Sequence, residues 1–128
     1  MPVVEVEEPP GTWDSAVEGV RDVRTERCRR CYALRLERAA AHAVRLGCEG
    51  LATTLAVSPY QDLDAIEEIG SSVAEGSGLT WVSADYRDLY PEATRRSREL
   101  GMYRQNYCGC LPSKAEAEAE RAARRARR

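Results

Sequence analysis

Phenylalanine is absent from this 128-residue chain, which has only two Trp and six Tyr as aromatic residues. Valine, leucine and alanine must therefore supply most of the core, which limits the chain to one domain with a modest interior. No apolar run approaches the roughly 20 residues that a membrane-spanning helix needs. The acidic start MPVVEVEEPP lacks both the basic and the apolar part of a secretory leader. We therefore expect a cytoplasmic protein.

Histidine and lysine are represented by one residue each, His42 and Lys114. With a single histidine, the chain offers no credible Ser/His/Asp set for nucleophilic catalysis. It also has no G-x-G-x-x-G and no P-loop, so no motif predicts dinucleotide or nucleoside triphosphate binding. We expect His42 to be a solvated surface residue.

Basic charge comes almost entirely from arginine, which is concentrated in two stretches. Residues 21–45 contain eight arginines and three acids, whereas residues 95–104 contain four arginines and one acid. Clustered guanidinium groups suit an anionic partner such as RNA, because their forked N–H donors match phosphate oxygens. The same clusters also fit ordinary solvated helix faces, and both interpretations stay open at this point.

Cysteine is the residue type that points to chemistry. Five cysteines in a cytoplasmic chain favour metal or redox chemistry over a disulfide framework. Cys28 and Cys31 form a C-x-x-C that we expect just before a helix, whereas Cys108 and Cys110 enclose only Gly109. By spacing, the two pairs fit a structural Cys₄ zinc site best, while an iron–sulfur cluster, a thiol redox pair and no function remain alternatives. The fifth cysteine, Cys48, is predicted to fill space near a strand.

Hydrophobic periodicity predicts an α/β protein with few strands. The expected strands are 3–7, 50–57 and 78–86, and the expected helices begin near Thr12, Cys31, Ser58 and Pro91. The helix–strand–helix–strand–helix order allows parallel pairing. We expect one α/β domain over residues 1–113 and a charged tail, helical or disordered, over residues 114–128.

Several separated motifs resemble those of the QueH-type epoxyqueuosine reductases. The motifs are R-C-x-x-C at 27–31, R-L at 35–36, T-T-L-x-x-S-P at 53–59 and S-x-E-x-G-x-Y-R-Q-x-Y-C-G-C at 97–110. The resemblance covers about residues 3–113. It implies reduction of epoxyqueuosine to queuosine at the tRNA wobble position, on a HUP-type (nucleotide α-hydrolase-like) sheet with flanking helices.

The resemblance also implies roles for individual residues. Cys28 and Cys31 would be ligands of a [4Fe–4S] cluster with a second metal, iron or zinc, close by, and Cys108 and Cys110 would be a redox-active, catalytic pair. The partner would be a tRNA anticodon loop. Substrate-binding residues would be Arg27, Arg30, Tyr103, Arg104, Gln105 and Tyr107. From proximity in the sequence alone, and not from the resemblance, Tyr103, Tyr107 and Asp85 are candidates to donate a proton or to bind a metal.

The family pattern begins with a strand and adjacent paired cysteines that are expected to complete the cluster, and this chain has no such segment. We expect the gene to start upstream; the alternatives are a second polypeptide that supplies the segment or a copy without activity. A rival hypothesis of another class is a zinc-stabilised, non-catalytic RNA-binding module with Cys28, Cys31, Cys108 and Cys110 as a Cys₄ site.

Overall fold

The computed structural model describes residues 2–128. The chain forms two compact units, the first ending at Asp88 and the second beginning at Leu89. The first unit contains α1 (Thr12–Ala16), α2 (Arg24–Arg45), β1 (Gly50–Leu51), α3 (Leu63–Gly76) and β2 (Thr80–Trp81), with a 3₁₀ turn at Thr54–Val57. The second unit contains α4 (Tyr90–Glu99) and α5 (Leu111–Ala126). No helix within residues 2–128 combines the length and apolarity that crossing a bilayer requires.

The α/β class and the parallel pairing are confirmed, on a sheet smaller than predicted. β1 and β2 pair in parallel, with Gly50 opposite Thr80 and Leu51 opposite Trp81. The strand predicted over 50–57 stops at Leu51, and the hydroxyl of Thr53 accepts a hydrogen bond from the amide of Leu55 instead. Such a side-chain-to-backbone bond competes with a strand ladder and favours a turn. The HUP-type assignment stays a prediction.

The strand predicted over 3–7 is absent, which corrects the interpretation of its alternating pattern. Residues 3–7 have no regular secondary structure, and α2 anchors the end of the segment. Arg38 donates a hydrogen bond to the carbonyl of Glu7 (3.1 Å), and Arg35 donates one to the carboxylate of Glu8 (3.1 Å). Alternation predicts a strand only where a neighbouring strand offers backbone partners. Here the carbonyl of Glu7 is bonded by the Arg38 side chain instead.

The core of the first unit lies between α2, α3 and the sheet. Tyr32, Leu36 and Ala40 recur every four residues along one face of α2 and are all buried. They pack against Leu51 and against a face of α3 that includes Ile66. The periodicity of α2 was therefore predicted, but its buried face includes a tyrosine that was not expected there.

The start of α3 differs from the prediction. Asp62, rather than Ser58, caps the helix, because its carboxylate accepts a hydrogen bond from the amide of Ala65 (3.0 Å). The hydroxyl of Ser58 accepts a bond from the amide of Tyr60 within the preceding loop. The segment 58–61 is therefore a loop that follows β1 and the 3₁₀ turn.

In α4 of the second unit, the carboxylate of Glu92 binds two arginines. Glu92 accepts hydrogen bonds from Arg95 (2.6 Å) and Arg96 (2.7 Å), and these bonds hold the pKa of Glu92 below its ordinary value of 4.5. Arg95 also bonds Glu99, one turn further along. Two of the four arginines in the stretch 95–104 are therefore paired with acids of their own helix.

This pairing predicts a pH effect. Because the pKa of Glu92 is lowered by folding, its contribution to stability is complete above pH 4.5 and disappears as the pH falls through the lowered pKa. We expect Glu92→Gln to melt at a slightly lower temperature than wild type at pH 7, a small difference because the pairs are exposed. The difference should shrink as the pH falls below 4.5 in thermal melts followed by circular dichroism. A difference that is constant with pH would contradict this assignment.

Candidate functional site

The Cys28/Cys31 pair lies inside α2, not before it as predicted. The helix begins at Arg24, so both cysteines fall in its first two turns and, at three residues apart, face the same side. Both side chains are half-buried, and Cys28 packs against the core of the first unit. A rigid helix therefore presents two thiols at one surface.

A pocket of about 230 Å³ opens beside Cys28. It is lined by Arg24, Thr25, Cys28 and Tyr32 of α2 and by Tyr60, Gln61 and Asp62 of the loop before α3. Its volume is below the roughly 300–1,000 Å³ of most small-molecule sites. The described residues therefore enclose room for part of a ligand of nucleoside size.

Tyr32 fixes the wall of this pocket. Its hydroxyl donates a hydrogen bond to the side-chain oxygen of Gln61 (2.8 Å) and accepts one from the amide of Asp62 (3.2 Å). These bonds attach the loop to α2 one turn from Cys28. The sequence interpretation gave no role to Tyr32 or Gln61. The position of this loop after β1 could have indicated a role in ligand binding. Ligands of parallel α/β sheets bind beyond the carboxyl ends of the strands.

The two arginines predicted to bind substrate beside the C-x-x-C differ in exposure. Arg27 is only 1% exposed and donates a hydrogen bond to the carbonyl of Arg21 (2.8 Å). This buried position is suited to a structural role and not to contact with a substrate. Arg30 is exposed and donates to the carbonyl of Glu18 (2.9 Å). Arg29, between them, forms an ion pair with Glu68 of α3 (3.1 Å).

The Cys108-Gly109-Cys110 turn is the N-terminus of α5. Gly109 has a φ of 118°, in a region that residues with a Cβ rarely adopt, and this conformation turns the chain into the helix. Cys110 caps the helix, and its sulfur accepts a bond from the amide of Ser113 (3.4 Å). The sequence interpretation placed the tail helix after this turn and therefore missed the cap.

Ser113 contacts both thiols of this turn. Cys108 donates a hydrogen bond to the hydroxyl of Ser113 (3.1 Å), while the amide of Ser113 donates to Cys110. The two sulfurs are 3.6 Å apart, beyond the roughly 2.05 Å of a disulfide bond. The pair is therefore a dithiol in this structure, with Cys108 as hydrogen-bond donor and Cys110 as acceptor.

The residues predicted to bind substrate ahead of the C-G-C form an open segment. Tyr103 is 84% exposed, Arg104 is exposed and Tyr107 is half-buried. Gln105 donates a hydrogen bond to the carbonyl of Tyr107 (2.9 Å) and lies beside Gly109. These side chains are accessible next to the dithiol.

Asp85 does not suit the proton-donor role considered for it. Arg87 donates hydrogen bonds to both carboxylate oxygens (2.9 and 2.7 Å), and these bonds lower the pKa of Asp85 from its ordinary value of 3.8. The carboxylate is therefore ionised at neutral pH and has no proton to give. Tyr103 and Tyr107 stay predictions for that role.

Metal-binding capacity rests on the thiols. Within residues 2–128, no three or more His, Cys, Asp or Glu side chains converge as a metal site. Cys28 and Cys31 belong to the first unit and Cys108 and Cys110 to the second, and each pair is described within its own unit. Two thiols on one helix face beside a pocket fit two of the four ligands of an iron–sulfur cluster.

Comparisons with known proteins agree on one family. A family model described as epoxyqueuosine reductase QueH matches residues 1–116. The chain is similar to proteins named epoxyqueuosine reductase QueH from Thermotoga maritima (40% identity, covering 86% of this chain and 59% of that protein) and Dehalococcoides mccartyi (34%, covering 70% and 50%). A protein of the same name from Helicobacter pylori is 40% identical, over 68% of this chain and 26% of its own length. The chain thus spans about half the length of the curated relatives from Thermotoga maritima and Dehalococcoides mccartyi.

Proposed function

This chain belongs to the QueH family of epoxyqueuosine reductases, and we propose that it takes part in the two-electron reduction of epoxyqueuosine to queuosine at the wobble position of tRNA. The observation that carries the proposal is the geometry of the C-G-C turn. Two thiols lie 3.6 Å apart at a helix N-terminus, inside the region that matches the family.

The electron balance of the reaction fits a dithiol. Removal of the epoxide oxygen breaks two C–O bonds, restores a C=C double bond and releases water, which takes two electrons and two protons. Oxidation of Cys108 and Cys110 to one disulfide releases two electrons and two protons. Return to the dithiol then takes two electrons from an external low-potential donor.

The contacts of Ser113 distinguish the two thiols. The amide of Ser113 donates to the sulfur of Cys110, and a helix N-terminus favours negative charge there. Cys108 instead donates to the Ser113 hydroxyl. From these contacts we assign Cys110 as the thiol that attacks and Cys108 as the one that completes the disulfide.

Cys28 and Cys31 would hold a [4Fe–4S] cluster, which supplies low-potential electrons when bound. The cluster needs two thiolate ligands in addition to these two. The proposal also includes a second metal, iron or zinc. The chain itself contributes Tyr60, Gln61 and Asp62 as the pocket wall beside Cys28. The Tyr32 bonds keep that wall in place.

Contact with tRNA would fall to accessible cationic, aromatic and amide side chains near the two cysteine pairs. Arg30, Arg104, Tyr103, Gln105 and Tyr107 remain the proposed substrate contacts, and Arg24 joins them because it lines the pocket. RNA phosphates attract guanidinium groups, and unstacked bases stack on tyrosine rings. Arg95 and Arg96 are poorer candidates, because Glu92 binds both.

The test of the cluster is chemical analysis of protein purified without oxygen. We expect iron and acid-labile sulfide in equal amounts, and turnover of tRNA that carries epoxyqueuosine. Cys28→Ser and Cys31→Ser should each lose most of the iron, because a cluster iron loses a thiolate ligand. Cys48→Ser is the matched control, since Cys48 is exposed and outside both pairs.

Two outcomes would contradict this assignment. The first is full iron and sulfide in Cys28→Ser. The second is stoichiometric zinc without sulfide in the wild type, together with unfolding by a chelator, which would favour the zinc-stabilised RNA-binding module.

A further inference from the structure

The last third of α5 lies outside everything that the family comparison describes. The family match ends at residue 116, whereas α5 continues to Ala126. Residues 121–128 contain five arginines and no acid. A helical extension of this composition calls for its own explanation.

Four of these arginines lie on one side of the helix. With 3.6 residues per turn, the spacing i, i+3, i+4, i+7 places Arg121, Arg124, Arg125 and Arg128 within an arc of about 100°. The helix ends at Ala126, and a bond from the amide of Arg128 to the carbonyl of Arg125 keeps the last residues in a turn beyond it. We call these four residues the C-terminal arginine stripe.

The stripe has no acidic partner. In the described part of the chain, no carboxylate forms an ion pair with any of its four arginines, although Glu118 and Glu120 lie on the same helix. Arginines elsewhere do have such partners, for example Arg21 with Asp14 and Arg87 with Asp85. The helix dipole explains basic residues only within the last turn, and Arg121 precedes that turn.

We propose that the C-terminal arginine stripe is a binding surface for the phosphate backbone of RNA. This inference rests on the proposed function, because tRNA is the RNA that such an enzyme handles. At a rise of about 1.5 Å per residue, the stripe is about 10 Å long, or one cation per roughly 3.5 Å. A strand of nucleic acid carries one negative charge per nucleotide, so a row of cations of this length can neutralise several neighbouring phosphates.

The rest of α5 favours RNA over a membrane surface. Between Lys114 and Arg128 the only apolar residue type is alanine. A helix that lies in a bilayer interface needs large apolar residues opposite its basic face. The surface also has no aromatic side chain to serve as a stacking platform for bases. Its contacts are therefore with phosphates and independent of sequence.

The experiment measures the salt dependence of binding to an unmodified tRNA transcript. The full chain is compared with a variant in which all four stripe arginines are glutamine, a residue of similar helix propensity. If four phosphate contacts are lost, the slope of log K against log salt should fall by about 3 in magnitude, and the Kd at low salt should rise at least about tenfold. A variant with four lysines should keep most of the slope.

The matched control is Arg21→Gln with Arg87→Gln, because both arginines are occupied by carboxylates. Its slope should stay close to that of the wild type. An unchanged slope in the four-glutamine variant would overturn the proposal, as would stripe-dependent binding to vesicles of anionic lipid but not to tRNA. A third outcome is that the four-glutamine variant loses the salt slope while the wild type shows no turnover of epoxyqueuosine. That outcome would support RNA binding by the stripe and contradict only the proposed enzymatic function.

Discussion

Gly70→Ala is expected to lower the free energy of unfolding by about 2 kcal/mol, because α3 has no room for a methyl group at this position. A Cβ on Gly70 would lie 2.5 and 2.6 Å from Cζ2 and Cζ3 of Trp81, inside van der Waals contact. The indole cannot swing aside without loss, since its Nε1 donates to Glu67 (2.8 Å). The clash outweighs the gain of up to about 1 kcal/mol that alanine brings to a helix.

Thermal melts of the full chain provide the measurement, with an expected decrease in Tm of roughly 5–10 °C. Gly76→Ala is the matched control, because Gly76 lies in the same helix and a Cβ there would meet nothing within 4 Å. That control should melt at or slightly above the wild-type temperature. If Gly70→Ala melted as high as the control, the packing of Trp81 against α3 would be wrong.

Loss of either thiol of the C-G-C turn is expected to reduce epoxyqueuosine turnover by at least about a thousandfold. The two sulfurs act as one unit in the proposed reaction, and removal of a single member of such a unit costs nearly as much as removal of all of them. Cys108→Ser and Cys110→Ser should therefore be equally inactive. Single-turnover assays with pre-reduced protein and tRNA that carries epoxyqueuosine would measure this effect.

Iron content and reactivity separate this role from the cluster role. Cys108→Ser and Cys110→Ser should retain iron and sulfide, whereas Cys48→Ser should retain both metal and turnover. Cys108→Ser keeps the thiol of Cys110, and Cys110→Ser keeps the thiol of Cys108. At a pH where the wild type reacts, we expect iodoacetamide to alkylate Cys108→Ser faster, because the amide of Ser113 donates to the sulfur of Cys110. Full turnover in Cys110→Ser would rule out a dithiol mechanism.

The features that the sequence predicted correctly follow from local hydrophobic patterns and from the order of elements and motifs along the chain. The long helix that carries Cys31, the parallel pairing of two strands and the α/β order follow from hydrophobic periodicity. The family membership follows from ordered motifs. The helix depends on residues close together in the chain, where spacing determines which side chains share a face. The parallel pairing of Gly50–Leu51 with Thr80–Trp81 was expected instead from the order of the elements.

The errors concern features that depend on distant partners. The segment 3–7 has a strand pattern, but its bond to α2 is one from the Arg38 side chain to the carbonyl of Glu7. The strands predicted over 50–57 and 78–86 are each two residues long in the described part of the chain, Gly50–Leu51 and Thr80–Trp81. A strand needs a neighbour, and a local pattern does not indicate whether one is present. The same reason explains why the capping role of Cys110 was missed, since it depended on where α5 begins.

The sequence by itself determined the chemistry of this protein: two cysteine pairs, a glycine between one pair, and arginine as the source of basic charge. Only the tertiary structure decided which of those arginines remain accessible, because burial and ion pairing join residues far apart in the chain. Arg27 is buried against the chain at Arg21, Arg29 is paired with Glu68, and Tyr32 meets Gln61 across 29 positions. Folding alone brings those groups within hydrogen-bonding distance, and it thereby selects which charges stay accessible to a partner.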